Sequence, residues 1–364
     1  MTAETTEKIL NHEVSLPPRK NSRKDALKYT WRTQDRSSWT IYHWFYEILG
    51  LYHSDLGRRI PVHEKQTKVP FLSNWSMLGW IILHGVLPMT LHHACMKYTG
   101  RTMPLWQVLI VYNVTMIFTA VRGQQHLRGL SHELGFLDAK SGERQGIPDA
   151  AVEEVFFTLN TLLSGRCSLI AWLAYSNLEA PGDIAWYWLP VKMAIYSITF
   201  DFWYYWYHRS LHEIPLLRKH QRKHHMSRHP TTLMTAFADF EQSVFDYIVC
   251  PVVTYYFLNS LGLSLSFYEW WICNLQTFIT EVGGHSGLRM YASPPNLFHP
   301  LLLYFNCDLS LEDHDLHHRT GWKESGNFGS QTRLWDTVFA TRKERVETKR
   351  DDVDWDNPVP WPIF

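Results

Sequence analysis

The chain has 364 residues, of which 45% are apolar and 15% aromatic, including 17 Trp. Lys+Arg and Asp+Glu are both 35, so no global charge points to nucleic acid or to an acidic partner. The five cysteines (Cys95, Cys167, Cys250, Cys273, Cys307) are odd in number, far apart and without CxxC spacing. That argues against a disulfide framework or zinc ribbon and reads as small buried hydrophobes in a reducing setting.

In chain order, residues 1–20 lack the apolar region of a secretory signal and read as a solvated cytosolic tail. Windows 69–96 and 102–121 carry no Asp, Glu, Lys or Arg. Each meets the roughly 20-residue length needed to cross a bilayer. A third window, 156–175, is interrupted by Arg166, and a fourth, 184–207, contains Lys192 and Asp201. Residues 247–268 are apolar again and are followed by 270–280, a pair that reads either as two short spans or as a re-entrant hairpin. The abundant Trp and Tyr fit a water–lipid boundary. A soluble all-helical reading is disfavoured by two charge-free windows joined only by the short KYTGR link.

Arg19, Lys20, Arg23, Lys24, Lys28, Arg32, Arg58, Arg59, Lys65 and Lys68 all precede the first span. Such a bias places the N-terminus in the cytosol. Two hairpins then return the chain to the cytosol at Arg122 and again at His208. The expected fold is an all-α integral membrane protein. It is a bundle of about four transmembrane helices, plus a re-entrant or interfacial helical pair, under a cytosolic histidine-rich cap. The expected divisions are a cytosolic segment (1–68), a first membrane hairpin with polar interlude and third span (69–183), a catalytic domain (184–341) and a charged tail (342–364).

The 20 histidines are not spread evenly. His208 and His212 are four apart, which on a helix puts both imidazoles on one face, ready to share a metal. His220, His224 and His225 follow a break near Pro215. His285 stands in GGHSG, His299 in LFHP, and a last cluster, EDHDLHH, holds His314, His317 and His318. Ten clustered imidazoles exceed what one tetrahedral zinc can use, whereas two metals with five or so ligands each would account for them. Imidazole suits iron, copper, nickel or zinc, so ligand type leaves the metal open. His132-Glu133 and His212-Glu213 lack the second histidine of a zinc-protease helix, and no GxGxxG or Walker A pattern occurs. No cysteine lies in a haem-thiolate context.

The runs DFWYYWYHRSLH, HQRKHH, GHSG and HDLHH, with the closing stretch NFGSQTRLWDTVFAT, resemble the fatty acid hydroxylase/sterol desaturase superfamily over roughly residues 184–341. The resemblance implies an endoplasmic-reticulum membrane protein, multi-pass, with its N-terminus and histidine boxes in the cytosol. It also implies two iron ions per chain, and O2 used with electrons from NAD(P)H, through cytochrome b5 or a reductase. By the same resemblance His208 and His212 form the first box, His224 and His225 the paired end of the second, His285 the lone HxG histidine, and His314, His317 and His318 the last. His220 precedes its pair by three intervening residues rather than the commoner two, and His299 sits in a lengthened stretch around Ser293-Pro294-Pro295. Water or His229 would complete the shell if either is not a ligand.

Asp201, Glu312, Asp313 and Asp315 are candidates to orient ligand imidazoles through their second nitrogens, or else to cap helices or face solvent. Arg218, Lys219, Arg222 and Lys223 form a basic run, read as a solvated face or as a guide for an acidic electron donor or lipid headgroups. His126 and His132 read as polar loop residues, and His84, His92 and His93 as possible cavity-lining residues of the first span. The expected function is monooxygenation of a lipophilic substrate: a sterol, fatty acyl lipid, or terpenoid or polyketide metabolite. Desaturation or stepwise methyl oxidation is the alternative within the same chemistry, and a non-catalytic membrane metal-binding scaffold the alternative outside it.

Overall fold

The structure, a computed structural model, describes residues 26–138, 144–321 and 323–362. The basic residues Arg19, Lys20, Arg23 and Lys24 lie outside them. The chain is mostly helical. After α1 (Ile41–Leu49) comes a short strand, β1 (Val69–Phe71), and then two long helices, α2 (Asn74–Thr99) and α3 (Leu105–Leu134). α4 (Val152–Asn160) runs through a π-helical turn (Thr161–Gly165) into α5 (Arg166–Ala174). α6 (Leu189–Glu213) and the short α7 (Arg218–Arg222) carry the first histidines. α8 (Phe240–Val244) continues through a second π-helical turn into α9 (Cys250–Ser260), and α10 (Phe267–Gly284) follows. α11 (His299–Tyr304), α12 (Leu311–Thr320), α13 (Leu334–Val338) and β2 (Val353–Pro358) complete the order.

α10 is the axis of the molecule. Every residue from Phe267 to Glu281 is buried, polar Glu269, Asn274, Gln276 and Glu281 included, because the helix is surrounded by others. Its start is fixed by a capping box: Ser266 Oγ accepts from Glu269 N at 3.3 Å, and Glu269 Oε2 accepts from Ser266 N at 3.0 Å. Lys192 reaches the same carboxylate at 2.7 Å, tying the start of α6 to the start of α10. Trp271 Nε1 donates to Gly85 O at 2.9 Å, and a methyl group at Gly85 would press on Ile272 at 3.1 Å, so α2 crosses α10 closely there. Arg166, which interrupts the third apolar window, is buried and donates to Thr277 Oγ1 on α10 at 2.5 Å.

Among the described residues one helix, Leu105–Leu134, is long and apolar enough to cross a membrane. Only 22% of its apolar stretch is buried, which is unlike a soluble core helix. The exposed side chains Trp106, Ile110, Val114 and Phe118 recur every four residues and form one outward stripe. The remaining expected spans are largely helical as well, but 156–175 is broken by a π-helical turn, 247–268 starts in one and leaves the helix at 261–266, and α6 carries charge. The five cysteines are free thiols, four of them buried, as expected.

The C-terminal segment is docked on β1 and α12. β2 pairs in parallel with β1, Val69 opposite Val353 and Pro70 opposite Asp354, with an irregularity before Phe71 opposite Pro358. Glu312 of α12 accepts the backbone N–H groups of Val346, Glu347 and Thr348 at 2.7–3.0 Å.

Candidate metal centre

Eight histidines converge in two groups of four. His208, His212, His225 and His317 form the first; His224, His285, His314 and His318 form the second, and within each group the ligand nitrogens lie within 4.8 Å of one another. All eight side chains are buried.

Helix periodicity explains the sorting. His208 and His212 are one turn apart on α6, and His314 and His318 one turn apart on α12, so each pair serves one group. Adjacent residues on a helix point about 100° apart. His317 therefore joins the first group while His318 joins the second, and the 3₁₀ turn at His224–Met226 divides His224 and His225 in the same way. The two adjacent His-His pairs are thus the crossings between the groups, with the rings of His225 and His318 stacked at 4.6 Å. His285 reaches the second group from the C-terminal end of α10, its Nε2 lying 3.2 Å from His224 Nε2 and 3.0 Å from His314 Nε2.

Backbone carbonyls set the imidazole orientations. The Nδ1–H of His208 donates to Phe328 O at 3.0 Å, that of His317 to Gly326 O at 2.8 Å, that of His285 to Glu281 O at 3.0 Å and that of His318 to Ser227 O at 3.1 Å. This leaves Nε2 with its lone pair available to a metal. Burial, reinforced by neighbouring imidazoles, holds His225, His314, His317 and His318 far below the ordinary value of 6.5, and lowers His224 to about 3. Burial alone lowers His285 to about 4. The rings are therefore neutral, as metal ligation requires. The buried Nε2 atoms of His225, His317 and His318 have no hydrogen-bond partner in the protein, a combination that fits a cation and little else.

Of the carboxylates expected beside the imidazoles or at helix caps, Asp201 holds the loop that supplies two of those carbonyls, and Asp313 caps α12 by accepting from Ser310 N at 2.7 Å. Asp201 accepts from the backbone N–H groups of Ser330, Gln331 and Thr332 at 2.7, 2.9 and 3.1 Å and from Thr332 Oγ1 at 2.6 Å. Asp336 accepts from Phe328 N and Gly329 N, each at 2.8 Å. Gly329 is required in this turn, because a Cβ there would lie 2.4 Å from Thr332 O. Asp313 pairs with Arg345 at 2.7 Å, and Asp315 with Arg144 and, at 2.8 Å, with Arg319. The Arg144 guanidinium packs against Gly287, where φ is +61° and any Cβ would collide with it. Phe328 seals the first group, its ring 5.3 Å from that of His212 and 5.8 Å from those of His208 and His317.

His220 and His299 lie outside both groups. His220 is half-buried on α7. His299, also half-buried, lines an apolar cavity of about 410 Å³ with Trp75, Leu78, Met193, Leu297 and Leu303. His229, half-buried, is likewise in neither group. His132 is structural: its Nε2 accepts from Asp55 N at 2.9 Å and its Nδ1 contacts Arg59 O at 3.1 Å. His92 packs among Tyr112, Tyr175 and Tyr268. In the basic run, Arg218 donates to His212 O at 2.8 Å and Lys223 pairs with Glu154. A residue that sequence reasoning passed over is Gln221, fully buried with its amide nitrogen 2.9 Å from His208 Nε2. Its signal was there: it stands two intervening residues before His224-His225.

A helical protein with two buried four-histidine sites is the class that fold and site define. The family model described as fatty acid hydroxylase matches residues 193–341. Fatty acid hydroxylase vlmA of Lecanicillium sp. is 36% identical over 304 residues, covering 80% of this chain and 83% of that protein. Methylsterol monooxygenase erg25B of Aspergillus fumigatus is 29% identical over 162 residues (44% of this chain, 50% of that protein). Very-long-chain aldehyde decarbonylase GL1-11 of Oryza sativa subsp. indica is 30% identical over 161 residues (43% and 54%). No solved structure matches the chain. The chain belongs to the fatty acid hydroxylase/sterol desaturase superfamily and is an oxygen-using oxidoreductase.

Proposed function

We propose that the protein is a membrane-embedded di-iron monooxygenase that hydroxylates a lipophilic substrate. The carrying observation is the division of eight buried imidazoles into two adjacent groups of four. Iron held there supplies the redox chemistry that places one oxygen atom of O2 into an unactivated C–H bond. His208, His212, His225 and His317 would hold one ion, and His224, His285, His314 and His318 the other. The carbonyls of Phe328, Gly326, Glu281 and Ser227 keep each Nε2 aimed at its ion. Phe328 and the buried cap keep bulk water from the reacting carbon.

The membrane reading rests on the outward stripe of α3 and on Leu83, Leu87 and Leu91, which form a similar exposed row on α2. Trp186, Tyr187 and Trp188, exposed just before α6, suit a water–lipid boundary. We place the N-terminal segment and the histidine boxes on the cytosolic side of an endoplasmic-reticulum bilayer, with about four spans. Electrons then arrive from the cytosol, through cytochrome b5 or an NAD(P)H reductase. Two small apolar cavities, about 40 and about 30 Å³, share Ala120, Gln124, Phe278 and Val282 as walls. Val282 is one turn before His285, so this is where a lipid chain would approach the second group.

The test is expression of the full chain in a host supplied with candidate sterols, acyl lipids and terpenoids, with product analysis and metal analysis of the purified protein. A hydroxylated product and about two irons per chain are expected. One zinc per chain, or O2-independent turnover, overturns the reading.

A further inference from the structure

Resting on the di-iron reading, we infer that Gln221 is a member of the first metal group and offers its amide oxygen to the ion held by His208. α7 spans only Arg218–Arg222, and neighbouring residues on it point about 100° apart, so His220 and Gln221 cannot both face the site. Gln221 faces it. It is 0% exposed, whereas His220 is half-buried and belongs to neither histidine group.

The geometry is that of two donors to one cation. The Gln221 amide lies 2.9 Å from His208 Nε2. Two ligand atoms each ~2.1 Å from a metal and at right angles to it stand about 3 Å apart. His208 Nδ1–H is committed to Phe328 O, so Nε2 carries the lone pair and Gln221 Nε2–H donates to it. The other amide atom, Oε1, is buried with no partner. Once a cation takes the His208 lone pair, an amide N–H pointing at it is repelled. A half-turn about the terminal torsion of the side chain exchanges nitrogen and oxygen without changing its shape and presents the carbonyl oxygen instead. A neutral carbonyl oxygen is a hard donor that iron accepts beside imidazole.

The consequence is that the two ions are inequivalent: the first has an oxygen donor besides four imidazoles, while the second is held by imidazoles. The test uses the purified full chain in detergent, loaded anaerobically with ⁵⁷Fe(II), and reads iron content, the affinity of the weaker ion and the Mössbauer spectrum. Wild type should hold two irons with two distinct doublets. Gln221→Leu should weaken one ion by roughly 10–100-fold and alter one doublet only. His220→Leu should change neither quantity. Gln221→Glu, which keeps the shape and an oxygen donor, should retain both irons and shift one doublet, and it decides the matter if the leucine variant does not fold. Wild-type affinity and an unaltered spectrum in the variants of Gln221 overturn the inference, as does loss of an ion in His220→Leu. Fewer than two irons in wild type instead overturns the di-iron reading itself.

Discussion

Asp201 and Thr332 lie 131 residues apart in sequence, yet Thr332 Oγ1 donates to the Asp201 carboxylate at 2.6 Å. Three backbone N–H groups of 330–332 share that carboxylate, so helix α6 and the 326–332 loop are fixed relative to each other. The loop carries the carbonyls that orient His208 and His317, one from each end of the first group's sequence span. The first metal group is therefore positioned by a buried acid that touches no metal.

Asp201→Ala should consequently cost more than its distance from the ligands suggests. Four buried donors lose their acceptor, which destabilises by roughly 2–4 kcal/mol. With Phe328 and Gly326 released, iron affinity at the first group should fall by roughly 10–100-fold. Thermal unfolding and iron titration together check this, and loss of stability with full affinity at both groups would contradict it.

The ligands should separate cleanly by group despite their mixed order in sequence. His317→Ala should remove one iron and His224→Ala the other, and each should abolish turnover, because both ions are needed. Metal analysis of the two single variants and the double variant reads this directly. Full activity in both single variants would contradict the two-site arrangement.

The approach to His285 should be sensitive to bulk. Val282→Trp fills cavities of about 40 and about 30 Å³, so it should lower kcat/KM for a long lipid at least tenfold. Iron content should stay at the wild-type level, since Val282 touches neither group's ligand nitrogens. Unchanged kinetics would place the substrate elsewhere, with the larger cavity beside His299 the next site to fill.

Metal-free protein should lose stability on mild acidification. The unfolded chain takes up protons near the ordinary histidine value of 6.5, whereas folding holds His224 at about 3 and His285 at about 4. The depressed folded values mean this contribution is complete above 6.5 and is lost as pH falls toward 4, where the unfolded state binds more protons. Tm measured from pH 7.5 to 5 should drop, and His224→Gln should flatten the slope. A Tm that rises over that range would contradict the burial of neutral rings.

Chain order alone determined a good deal here. The clustering of histidines, the HxxxH spacing of His208 with His212, and the sustained apolar windows are local properties, and local properties survive in a one-dimensional reading. The apolar helix that begins at Leu105 and the metal-binding character of the boxes follow from them, but that helix runs on to Leu134 and carries His126 and His132, which chain order alone reads as loop residues. Only the tertiary structure decided which histidine joins which group, because adjacent residues such as His317 and His318 diverge by helix geometry toward partners brought in by other elements. It likewise left His220 and His299 outside, faced Gln221 inward, and tied Asp201 and Glu312 to loop backbone and Asp313 and Asp315 to arginines rather than to imidazoles. Sequence registers that a residue can ligate or accept a hydrogen bond. Which partner it meets depends on the direction of its side chain and on backbone carbonyls supplied from more than a hundred residues away, as Phe328 is for His208.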